Sequence, residues 1–162
     1  KCHRVAKISI RILMILQLTP NTHPILHERV NKCSYDLDRH EMVKILHDNM
    51  IHHQGVGLSA NQIGIAERVF IMMIDEETEE TITCFNPRIV KTYDEKVWCE
   101  EGCLSYPDEQ INILRPNRIV VKYEDADKVD HKIKLEGFAA RVFLHEFDHM
   151  QGINFTQRKD HK

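Results

Sequence analysis

Gly137-Phe138-Ala139-Ala140-Arg141-Val142-Phe143-Leu144-His145-Glu146-Phe147-Asp148-His149-Met150-Gln151-Gly152 is the stretch on which the fold turns. At about 100° per residue, Phe138, Val142, His145 and His149 share one stripe of a helix, and Ala140, Phe143, Phe147 and Met150 fall roughly opposite. A helix that is apolar on two sides belongs in the middle of a fold. Glycines at both ends predict a helix that begins near Phe138 and stops at Gly152. Histidines on a buried stripe need partners that water does not supply.

A divalent ion would satisfy both imidazoles, since His145 and His149 are one helical turn apart on one face. Glu146, one position round, is then placed to take a proton from water beside the ion. The plainer reading is two surface histidines on a charged helix end, and the apolar flanks weigh against it. Two histidines leave an ion in need of a further ligand. Cys103, within Glu101-Gly102-Cys103-Leu104-Ser105, is the candidate, and three protein ligands with an open fourth position are the layout of a catalytic site. Cys99 supplies a rival, because Cys99, Cys103, His145 and His149 could close a structural zinc site. That reading leaves Glu146 without a task.

Gly55-Val56-Gly57-Leu58-Ser59-Ala60-Asn61-Gln62 superficially matches a dinucleotide-binding fingerprint, but residues 48–54 read as the polar end of a helix and not as the buried strand that the fingerprint requires. No Lys-Ser or Lys-Thr pair follows, so a P-loop is excluded. An ordinary turn, or a loop whose bare backbone receives a ligand, remains.

In order and spacing, these three segments together resemble the motifs of the peptide deformylase family, whose members remove the formyl group from the initiator methionine of new polypeptides. The resemblance covers nearly the whole chain, from Leu18-Thr19-Pro20 and Pro24-Ile25-Leu26 to the end of the late helix. It departs at Ser59, where the family usually has alanine, at Asn61, often proline, and at Leu144, commonly glutamine. The resemblance implies that Cys103, His145 and His149 hold the metal and that Glu146 moves protons. It also implies that the Gln62 amide and the Leu104 backbone N–H face the carbonyl oxygen of the substrate, the arrangement that usually supplies the largest catalytic term. Val56 and Cys99 are lining positions by the same resemblance. Phe138 and Val142 should project beside the ion from their helical spacing, as walls of an apolar pocket with nothing to pair with a charge. The backbone at Val56 and Gly57 could pair with an extended peptide as an added strand. Asp148 is expected to be structural and not catalytic, and His52 and His53 to be surface or helix-end residues.

Further implications of the resemblance are one ferrous ion per chain, with zinc or nickel as substitutes, and N-formylmethionyl peptides as substrates, met as nascent chains at the ribosome. A monomer is expected, working in the cytoplasm, an organelle or the cytoplasm of a virus-infected host. With thirteen residues after His149, the C-terminal helix of many bacterial members is not expected here. A metallopeptidase of the HExxH kind would share His145, Glu146 and His149, but such enzymes generally take a third His or carboxylate ligand, which Cys103 speaks against.

Composition agrees. At 162 residues the chain suits one core, a single domain over 1–162. Its net charge of −3, with both signs interspersed, offers no basic face for nucleic acid. Lys1, Arg4, Lys7 and Arg11 cluster at the start, and the apolar run Ile12 to Leu18 is too short to span a bilayer. Five cysteines suit a reducing compartment. Asp38-Arg39-His40-Glu41 resembles a capping box opening a helix through Met42, Ile45, Leu46, Met50 and His53. Residues 68–75, 81–90, 118–124 and 131–136 read as strands, with 75–80 an acidic turn. Helix, several strands and a late helix point to an α+β fold, with mixed or antiparallel sheets packed around the central metal-binding helix.

Overall fold

The structure is a computed structural model and describes residues 13–159, so the basic cluster of Lys1, Arg4, Lys7 and Arg11, and Ile12, lie outside the described residues. Helix α1 spans Arg39–His52 and helix α2 spans Gly137–Met150. Strands β1 (Gly57–Ser59), β2 (Val69–Met73), β3 (Thr81–Thr92), β6 (Arg118–Glu124) and β7 (Asp130–Glu136) form one sheet in the order β1-β2-β3-β6-β7. Strands β4 (Lys96–Cys103) and β5 (Tyr106–Pro116) pair separately as a hairpin arm. Every pairing is antiparallel, which settles the choice left open between mixed and antiparallel sheets.

The alternation of a strand explains how the sheet holds two helices. On β2, Val69, Ile71 and Met73 pack with Leu46 and Met50 of α1, whereas Phe70 and Met72 pack with Phe143 and Met150 of α2. All five β2 residues are buried, so this strand is apolar on both faces. Phe70 and Phe143 meet edge to face with ring centroids 5.2 Å apart, and both are fully buried.

The α1 boundary rests on Asp38, whose side chain accepts from the Glu41 N–H at 3.0 Å. Only this half of the expected capping box forms, because the Glu41 carboxylate turns to Lys44 instead. His53 is the C-cap and not a helical residue; its Nε2 lies 2.9 Å from the Leu16 carbonyl. Strand β7 runs directly into α2, and Gly137 makes that corner at φ 59°, a region open to glycine at little cost. Its N–H donates to the Asn117 carbonyl at 2.9 Å, tying the corner to the loop before β6. Helix α2 thereby starts at a fixed point on the sheet edge.

Strands β4 and β5 were not expected from the sequence. Eight-residue β4 exposes its first five residues, so the period-two burial that marks a strand is missing. The arm's register runs regularly from Lys96↔Pro116 to Gly102↔Gln110 and then slips to Cys103↔Tyr106. This bulge turns the end of β4 inward. Cys103 is buried as a result, although the strand that carries it is largely in solvent.

Candidate active site

Cys103 arrives from the bulged end of β4, and His145 and His149 from one face of α2. Their ligand atoms lie within 4.8 Å of one another. Cys103 Sγ is 3.4 Å from His149 Nε2. His145 Nδ1 faces Glu101 Oε2 at 3.0 Å, which leaves Nε2 for the site and fixes the ring's orientation. A soft thiolate and two imidazoles are a donor set that zinc and ferrous iron both accept. Cys99 stands outside this group, exposed, with Sγ 3.6 Å from the Glu100 carbonyl, so a closed four-ligand zinc site does not form.

Charge in the site follows from burial and from these contacts. Burial works against a proton on His145, but Cys103 and Glu101 outweigh it and push the imidazole up to about 10. Burial, with the neighbouring His145 charge, keeps His149 well below the usual histidine range. The two imidazoles are thus pushed in opposite directions, His145 toward its charged form and His149 toward its neutral one. Burial opposes charge on Glu101 as well, yet hydrogen bonds from His145 and Arg115 hold its carboxyl at about 2. Glu101 is the hub of this support. Arg115 Nε and Nη2 grip its two oxygens at 2.6 and 2.9 Å, and Arg141 Nη1 adds a third bond at 2.6 Å. Arg115 Nη1 continues to Asp148 Oδ2 at 2.8 Å, and Arg158 closes on the same carboxylate. Asp148 thus ties α2 to the arm, the structural place expected of it.

Glu146 is buried on the opposite side of the ligand stripe from Asp148. Its Oε2 accepts from Ser59 Oγ at 2.6 Å. A Cβ at position 57 would come within 2.6 Å of Glu146 Oε1, so a side chain there would have to displace the Glu146 carboxylate. Burial raises the Glu146 carboxyl above the usual carboxylate range, against the pull of His145 and the Ser59 hydrogen bond. A carboxylate that binds its proton more readily than usual is suited to moving protons.

The glycine-rich segment is neither a plain turn nor a cofactor loop. It forms β1 and then a 3-10 turn over Ala60–Ile63. Gln62 Oε1 accepts from the Ser59 N–H at 2.9 Å, which points the amide nitrogen toward Ser105 Oγ at 3.1 Å and Cys103 Sγ at 3.7 Å. The loop-capping role and the site-facing role thus belong to the two ends of one side chain.

A cavity of about 620 Å³ opens over these groups. Val56, Gly57, Gln62, Cys99, Leu104, Phe138, Val142, His145 and Glu146 all line it, as does Cys103. His149, fully buried, is not among its lining residues. His53, expected at the surface or at a helix end, is the C-cap of α1 and also lines this cavity beside Leu18. One expectation needs correction: the pocket is not free of charge, because Arg141 and Glu101 stand in its wall. Arg115 and Arg141 were not singled out from the sequence, and Ser59 was noted only as a departure from the family pattern. Ser59 could have been found as the polar member of an otherwise small loop beside a buried acid. Arg141 could have been found as a cation on a helix apolar on two sides.

Comparison with known proteins gives consistent likenesses. The family model described as polypeptide deformylase matches residues 15–162. A peptide deformylase of Natranaerobius thermophilus is 37% identical over 149 residues, covering 91% of this chain and 94% of that protein. The crystal structure of peptide deformylase from Thermotoga maritima superposes with a TM-score of 0.85 at 34% identity, over 91% of this chain and 99% of that one. A Met-Ala-Ser-bound class I type b peptide deformylase from Acinetobacter baumannii superposes with a TM-score of 0.83 at 28% identity, over 91% and 99% of the two chains.

Proposed function

The chain belongs to the peptide deformylase family, and from that premise we propose how its own residues remove the formyl group from N-formylmethionyl peptides. The observation that carries the reading is the meeting of Cys103, His145 and His149 within 4.8 Å, with the buried Glu146 beside them. Cys103, His145 and His149 hold one divalent ion, which when bound supplies the Lewis acidity that makes water a nucleophile near neutral pH. Ferrous iron is the proposed working ion, with zinc or nickel able to replace it in isolated protein.

Glu146 takes the proton of the attacking water while its carboxylate is held by Ser59, and passes that proton to the leaving amine as the formyl C–N bond breaks. Formate and a free amino terminus result. The Gln62 amide and the Leu104 backbone N–H stabilise the negative charge that builds on the carbonyl oxygen. Fixing the Gln62 amide through Ser59 N–H before substrate arrives removes the cost of orienting it during the reaction. The peptide backbone runs beside Val56 and Gly57 as an added strand, gripped without sequence reading. The methionine side chain enters between Cys99 on β4 and Phe138 and Val142 on α2. That a relative from Acinetobacter baumannii is described with Met-Ala-Ser bound supports a peptide headed by methionine as the ligand.

The proposed setting is a single catalytic domain working as a monomer on nascent chains at the ribosome, in the cytoplasm or an organelle. Among the described residues no helix is long and apolar enough to cross a membrane. Anaerobic purification with elemental analysis, paired with formate release, tests the proposal. One equivalent of metal and fast release from formyl-Met peptides are expected, with formyl-Asp, formyl-Lys and acetyl-Met peptides poor substrates. Equal kcat/KM for formyl-Met and formyl-Asp peptides would sink the pocket assignment.

A further inference from the structure

The walls of the methionine pocket belong to two elements that share no sheet. Cys99 lies on β4, in the hairpin arm, and Phe138 and Val142 lie on α2. Arg141, one turn before His145, spans the gap between them. Its Nη2 donates to the Val97 carbonyl at 2.6 Å, and its Nη1 donates to Glu101 Oε1 at 2.6 Å and to the Ile113 carbonyl at 3.1 Å. Val97 and Glu101 bracket Cys99 on β4, and Ile113 is its cross-strand partner on β5. The guanidinium therefore fastens the Cys99 wall at three points to the helix that carries the opposing wall. Its side chain is only 15% exposed and itself lines the cavity.

We propose that Arg141 sets the width of this pocket and so selects the unbranched side chain of the formylated residue. The proposal rests on the deformylase reading and deepens it. A planar fork with fixed donors suits the role, because three acceptors on two strands are met by one rigid group. Metal binding has separate support, since Arg115 holds Glu101 through both oxygens independently of Arg141. Selectivity and metal retention should therefore come apart on substitution at this position.

Formate release from formyl-Met, formyl-Phe and formyl-Ile peptides, measured with wild type, Arg141→Ala and Arg141→Lys at known metal content, tests the inference. Arg141→Ala should keep its metal while the kcat/KM ratio of formyl-Met to formyl-Phe falls about tenfold or more, mainly through a higher KM for formyl-Met. Arg141→Lys keeps the charge but not the fork, and should lose part of the selectivity. Added ethylguanidine should restore the ratio in Arg141→Ala. A common loss of rate on all three substrates, with the ratio unchanged in both variants, would overturn the proposal and leave Arg141 a structural tie. No formate release by the metal-loaded wild type would overturn the deformylase reading, and this proposal with it.

Discussion

Ser59 Oγ and Glu146 Oε2 lie 2.6 Å apart, a hydrogen bond between a loop residue and a helix residue that are both buried. The carboxylate is thereby held by one oxygen, with the other left beside Gly57. Position 59 departs from the alanine usual in the resembling family, so Ser59→Ala should fold normally. We expect its kcat to fall about tenfold, equivalent to about 1.4 kcal/mol and near the low end for a hydrogen bond to a charged group. KM and metal content should not change. An unaltered kcat would show that packing alone orients Glu146.

Loss of a ligand should be distinguishable from loss of a neighbour. Cys103→Ala, His145→Ala and His149→Ala should each lose bound metal by elemental analysis, whereas Cys99→Ser should retain it. Cys99 is exposed and outside the ligand group. A metal-free Cys99→Ser protein would bring the closed zinc site back.

Glu101 links the ligand His145 to Arg115 and Arg141, and Glu101→Gln should weaken both metal binding and the fold. Removing a supporting partner of a ligating histidine typically costs about 10–100-fold in metal affinity. Breaking a buried ion pair costs roughly 3–5 kcal/mol. The pH dependence follows in sign from its carboxyl, held at about 2 against an ordinary 4.5. The contribution is fully present above the ordinary value and is lost as the pH falls toward the folded one, because the unfolded chain binds the proton more tightly. Denaturant unfolding of wild type and Glu101→Gln between pH 6 and about 2 should show the stability gap narrowing on acidification. A constant gap would mean that Glu101 contributes packing only.

The core offers a prediction independent of chemistry. Phe143→Ala removes a fully buried ring that stacks edge to face on Phe70, and should cost roughly 3–5 kcal/mol in denaturant unfolding. A loss below about 1 kcal/mol would mean that the site collapses around the gap.

Helix α2 was legible in the sequence because burial on two sides and the pairing of His145 with His149 impose a helical period. Strand β2 was legible because its five residues are all apolar. The arm was not, for Pro107, Asp108 and Glu109 stand in the exposed first half of β5 and the first five residues of β4 face water, so burial alternates only from Ile111 onward and at the very end of β4. Cys103 could be named from its neighbours, but the register slip that buries it is a property of two strands together. Arg141 was hidden for a related reason. Two of its three acceptors are the backbone carbonyls of Val97 and Ile113, and a carbonyl's availability is written in no side chain. The expectation of an uncharged pocket failed on that point.

The central claim is that Glu146 moves protons while Cys103, His145 and His149 hold the ion, and Glu146→Gln separates the two tasks. Metal content and formate release from a formyl-Met peptide, measured on the same anaerobic preparation, decide it. The account predicts about one equivalent of metal per chain and a turnover reduced by roughly 10²–10⁴-fold. Near-normal turnover in the metal-loaded variant would contradict it.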